Sequence, residues 1–176
     1  VNGPWMCDAG RLNYRWIGRE DRLRDVKVGG AVSTWETALK QVKTRLASAP
    51  SGSVAIVASA RQTTEELYLL KKLAQRFGAI TDSVAREGEA DRLLVNADRN
   101  PNSNGARLTG IAFTEMGIQL PRIADGIASG AIKTLIVFGE DVTKHGIGAD
   151  LLGRVETLIV SDILPNATTA AAHVLP

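Results

Sequence analysis

The 176 residues carry 21 Lys and Arg against 19 Asp and Glu, a formal net charge of +2, with 44% hydrophobic residues and one cysteine. A chain of this length buries a core without staples, and its charges are too evenly balanced for a nucleic-acid footprint. One cysteine closes no internal disulfide, no apolar run reaches the length of a membrane span, and the first residues lack the charged-then-apolar pattern of a secretory leader.

Residues 1–30 show no clean period and read as an irregular leader. Within them Arg15, Arg19, Arg22 and Arg24 alternate with Glu20, Asp21 and Asp25, which suits a solvated or partner-facing loop. The stretch "WMCDAGRLNY" holds the sole cysteine, Cys7, followed at once by Asp8 and then by Gly10 and Arg11. That is the setting of a loop ligand or a reactive thiol, and equally of an incidental loop cysteine. Ser33 with Glu36 reads as a capping box opening a helix whose inward side is Trp35, Ala38, Leu39, Val42 and Leu46. "SAPSGS" is a turn, and "VAIVAS" from Val54 to Ser59 is a buried strand. Thr63 with Glu66 forms a second capping box, Leu67, Leu70, Leu73, Ala74 and Phe77 form an apolar stripe, and Gly78 ends the helix.

"RLLVNAD" predicts a strand ending at Asp98, and "RNPNSNGARLTG" a long polar loop. "LPRIADGIASG" predicts a short helix with Leu120, Ile123, Ala124 and Ile127 inward and Gly130 as its stop. "KTLIVFGED" and "ETLIVSD" are strands separated by a short helix at Leu151 and Leu152, and "ATTAAAHVLP" is a small helix running into a last strand. The alternation predicts an α/β domain over residues 31–176. Its sheet is doubly wound, Rossmann-like and mostly parallel, with central strands near Val54–Ala58, Leu93–Asn96, Thr134–Phe138 and Thr157–Val160.

Three of these strands end in polar residues: Asp98, Glu140 with Asp141, and Ser161 with Asp162. Strand carboxyl ends form the ligand crevice of such sheets, and the same residue types cap the helices that follow, so both roles stand. No G-x-G-x-x-G follows the Val54 strand and no Walker A sequence occurs. "ASARQTT" stands there instead, offering Thr63, Thr64 and helix N-terminal amides to an anion. His145 and His173 are isolated, in loop or helix-surface settings, and Asp8, Asp141 and His145 make an acid–base set only if the fold gathers them.

"VNGPWMCDAGRLNY" resembles the last cysteine motif of the iron–sulfur segment of the molybdopterin-oxidoreductase superfamily, V-N-x-x-W-x-C-x-x-G-R. "STWETALKQV", "QTTEELYLLKKLAQRFG", "LLVNADRNPNSNGARLTGI", "GAIKTLIVFGED" and "SDILPNATTAAAHVLP" follow in an order similar to that of the branch that supplies the large iron–sulfur subunit of bacterial NADH:quinone oxidoreductase, respiratory complex I. The resemblance implies that Cys7 is one ligand of a [4Fe–4S] cluster whose other thiolates lie outside this chain. It makes residues 1–30 the tail of a cluster-binding segment, the chain a fragment of an electron-transfer subunit, and the fragment alone free of iron. A start at Val1 and a stop just after a strand fit the same expectation.

Three departures separate this chain from the molybdenum and tungsten enzymes of the superfamily. Ala9 stands where those enzymes place a lysine, and residues 79–110 hold no cysteine, leaving Ser83 and Ser103 as the remaining metal-ligand candidates. Glu140 and Asp141 put carboxylates where relatives bind an anionic pterin nucleotide, with Arg99, Arg107 and Lys144 the cations available to offset them. The expected partners are other subunits of the complex's peripheral arm, with no nucleic acid and no direct membrane insertion, in the cytoplasm beside the inner membrane. The rival readings are a fragment of a formate dehydrogenase-like molybdopterin oxidoreductase and a non-redox nucleotide-binding module.

Overall fold

A computed structural model describes residues 11–93 and 95–176. Cys7, Asp8 and Ala9 lie outside the described residues, as does Leu94 of the "RLLVNAD" segment. Three five-residue apolar runs dictate the centre: β3 (Val54–Ala58), β5 (Thr134–Phe138) and β6 (Thr157–Ser161). Every residue of β3 is buried, which requires cover on both faces. Ala55, Val57, Leu135, Val137, Leu158 and Val160 face one way, against Leu120, Ile123 and Ile127 of α4 (Leu120–Ala128) and Leu152 of α5 (Ala149–Leu152). Val54, Ile56, Ile136 and Ile159 face the other, against Ala38 and Leu46 of α1 (Trp35–Ala47) and Ala74 of α2 (Thr64–Phe77). Each buried Val, Leu or Ile contributes about 1.5–3 kcal/mol, so these two layers fix the register of the parallel strands.

The sheet has seven strands in the order β2-β1-β7-β6-β5-β3-β4, with β1 (Lys27–Val28), β2 (Ala31–Val32), β4 (Ile80–Asp82) and β7 (Val174–Leu175) completing it. β4, β3, β5, β6 and β7 pair in parallel, and β1 is antiparallel to both β7 and β2. The chain is therefore an α/β protein with a mostly parallel sheet. The order of its parallel strands reverses once, between β3 and β5. That is a two-faced winding with a single switch point, distinct from the 3-2-1-4-5-6 dinucleotide order.

Four expectations are corrected. Of the expected strand Leu93–Asn96, the described residues Leu93, Val95 and Asn96 are not in a strand: Leu93 is 82% exposed, and the Asp91 carboxylate accepts the Leu93 and Val95 amides at 2.9 and 2.7 Å, a local turn that competes with a ladder. The strand beside β3 is instead β4, whose Thr81 and Asp82 are polar yet buried. The polar loop after Asp98 contains α3 (Ser103–Leu108), capped by Asn102. The leader is not wholly irregular. Gly29 and Gly30, with φ of +58° and +81°, make a two-residue hairpin turn that adds β1 and β2 to the sheet. The division at residues 30 and 31 falls inside this hairpin.

The fourth correction concerns α1. Its cap is Thr34, whose hydroxyl accepts the Thr37 amide, because the Ser33 amide still donates to Val26 as part of the hairpin. Trp35 and Leu39 of α1 are exposed, whereas Ala38 and Leu46 are buried. The second capping box forms as expected: Thr63 and Glu66 each accept the other's amide. Replacing Thr63 by Ala should cost about 1 kcal/mol in urea denaturation, while Ser33→Ala should stay within about 0.5 kcal/mol.

His173 lies in the loop before β7, as expected, and there its Nδ1 accepts the Leu158 amide at 2.8 Å. Burial, and then the charge of Arg45, hold its pKa below the ordinary 6.5. The folded state thus binds a proton less readily than the unfolded chain. His173 contributes stability above pH 6.5 that is lost as the pH falls through its lowered folded-state pKa. Urea midpoints measured from pH 7.5 downward should show that loss, and His173→Gln should remove this component.

Candidate functional site

The carboxyl ends of β3, β5 and β6, with the loop after β4, surround a crevice of about 860 Å³ at the switch point. Glu140 and Asp141 follow β5, Asp162 to Asn166 follow β6, Arg61 follows β3, and Arg86 and Pro101 come from the β4–α3 connection. Asn13, Trp16 and Arg19 close one side, so the N-terminal segment belongs to the wall. Gly139 lets β5 turn into it. Its φ is +66°, and a Cβ there would stand 3.2 Å from Ser59 Cβ.

Glu140 is the centre of the arrangement. Its side chain is fully buried, Oε2 accepts the Arg86 guanidinium, and Oε1 has no hydrogen-bond partner among the described residues. Arg86 also donates to Asn100 Oδ1 at 3.2 Å, while the Asn100 side-chain nitrogen donates to the Arg86 carbonyl at 3.3 Å and to Asp98 at 3.0 Å. One ion pair therefore neutralises Glu140 and pins both ends of the 86–100 loop.

The neighbouring acids work locally. Burial pushes the Asp141 carboxyl up, but hydrogen bonds from Thr143 and Thr168 and the nearby Lys144 together outweigh it and hold the group below its ordinary value. Thr168 in turn accepts the Val142 amide at 3.0 Å, so Asp141 ties the loop after β5 to α6 (Ala167–Ala170). Asp162 accepts the Ile163 amide at 2.7 Å and the Asn166 side chain at 2.8 Å. Asp98 accepts the Asn100 amide at 2.9 Å. For Asp98 and Asp162 the turn role is the one observed, whereas the Asp141 side chain makes no cap hydrogen bond and accepts hydroxyls instead.

Asp82 belongs to no motif in the sequence, yet it accepts the Ser83, Gly117, Gln119 and Leu120 amides at 2.7 to 3.1 Å and so starts α4. Its burial nevertheless raises its carboxyl pKa, the four amides only partly opposing it. An acid at the end of a run as short as "AITDSV" is the only signal that the sequence offers for this strand and for its cap.

Arg99 and Arg107 do not line the crevice: Arg99 donates to the Glu89 carbonyl at 2.6 Å, and Arg107 is exposed in the last turn of α3. Its lining cations are Arg19, Arg61, Arg86 and Lys144, against the carboxylates of Glu140, Asp141 and Asp162. The crevice is thus not an acidic trap, and the repulsion expected from Glu140 is offset from the loop that follows β4. His145 and Asp141 both line it, but no hydrogen bond joins their side chains among the described residues. Ser83 and Ser103 are buried and do not line it.

The anion site suggested by "ASARQTT" is already occupied by the protein. Thr63 and Glu66 satisfy one another's amides, the Thr64 hydroxyl takes a hydrogen bond from Asn102, and Glu65 and Glu66 put negative charge in the first turn. Among the described residues no three His, Cys, Asp or Glu side chains gather as a metal site, and no helix is long and apolar enough to cross a membrane.

No protein-family model matches the chain. Partial similarity does appear among curated proteins. The NADPH-Fe(3+) oxidoreductase subunit alpha of Geobacter sulfurreducens is 38% identical over 76 residues, 41% of this chain. The Bacillus subtilis protein YrhE, whose name places it with the formate dehydrogenases, is 32% identical over 84 residues, 43% of this chain. A subunit of the NADH-quinone oxidoreductase of Streptomyces coelicolor is 31% identical over 80 residues, again 43%. In each case the match covers 9% of the relative's length. All three relatives are, by their names, oxidoreductases, dehydrogenases or subunits of one, and the similarity reaches less than half of this chain.

Removing Arg86 should strand a buried carboxylate. Arg86→Ala is expected to cost about 2–4 kcal/mol in urea denaturation, and adding Glu140→Gln should recover roughly half of it. Equal costs for the single and double variants would contradict the pairing.

Proposed function

We propose that the chain is part of the large iron–sulfur subunit of an NADH:quinone oxidoreductase, where it scaffolds a chain of iron–sulfur clusters. The observation that carries this reading is the partial similarity to oxidoreductase subunits, one of them from an NADH-quinone oxidoreductase. Cys7, in its V-N-x-x-W-x-C-x-x-G-R setting, contributes one thiolate to a [4Fe–4S] cluster, and segments outside these residues contribute the rest. The α/β domain shields that cluster from water and docks neighbouring subunits of the peripheral arm. The domain division proposed with it is a cluster-segment tail over 1–30 and the α/β domain from 31 onward. Such a cluster, when bound, would supply one-electron redox chemistry on the route from NADH and flavin to quinone, and the chain's own residues would position and insulate it. Ala9 and the cysteine-free 79–110 segment support a form without pterin.

The balanced crevice favours a second reading, a formate dehydrogenase-like molybdopterin oxidoreductase, because Arg86 neutralises Glu140 while Arg61 and Lys144 also line the cavity. Two measurements on the complete polypeptide separate the readings. Cys7→Ser should abolish or shift one [4Fe–4S] signal in electron paramagnetic resonance, and an unchanged spectrum would remove Cys7 from the ligands. Metal analysis should find iron without molybdenum or tungsten, and stoichiometric molybdenum would establish the second reading.

A further inference from the structure

We draw no further inference here: the strongest candidate, the buried Glu140 Oε1 left without a hydrogen-bond partner among the described residues in the crevice at the carboxyl ends of β3, β5 and β6, belongs to the site already described.

Discussion

A fully buried carboxylate at the end of the central strand is the constraint on which the rest of this site depends. Burying Glu140 is costly unless a cation meets it. Arg86 does so from a loop that begins after β4 and must therefore fold back over the switch point. That return carries Pro101 to the crevice and delivers the chain to Asn102, which caps α3 and donates to the Gln62 carbonyl at 2.8 Å. A single ion pair thus links β5, the 86–100 loop and the β3–α2 turn. The layers beneath it are apolar and indifferent to ligand chemistry, so what distinguishes the cavity is concentrated in this connection.

The same pair alters the electrostatics on which functional comparison turns. Taken as bare charges, Glu140 and Asp141 would oppose an anionic cofactor, since like charges about 4 Å apart repel by roughly 4 kcal/mol at an effective dielectric of about 20. In the folded chain Glu140 is matched by Arg86, and Asp141 is committed to Thr143, Thr168 and Lys144. Charge alone therefore does not separate the two proposed readings, a complex I subunit and a molybdenum enzyme. The distinction rests on Ala9 and on the missing cysteine in residues 79–110.

Legibility in the sequence follows the strength of the local pattern. Val54–Ala58, Thr134–Phe138 and Thr157–Ser161 are built around apolar β-branched runs and appear as the central strands, and Thr63 with Glu66 caps the helix it is expected to cap. β4 is illegible because two of its three residues are polar, buried only through long-range partners such as the Gly117 and Gln119 amides. "RLLVNAD" misleads because its apolar residues suggest a strand while Asp91 and Asn96 fold it into turns. Of the site, Glu140, Asp141 and Lys144 are marked by their place after the clearest strand. Arg86 and Arg61 are not, because an arginine carries no periodic signal, and the partner of Arg86 lies 54 residues away. The Gly-Gly hairpin at residues 29 and 30 is readable from its turn chemistry and is hidden by the polar segment around it.

The Glu140–Arg86 pair holds the 86–100 loop over the crevice, and amide hydrogen exchange in a Glu140→Met variant tests this most directly. The Gly88 and Arg99 amides, bonded to the Ala97 and Arg86 carbonyls at 2.9 Å, should lose protection in that variant while those of β5 and β6 keep theirs. Protection at Gly88 and Arg99 that matches the unaltered chain would contradict it.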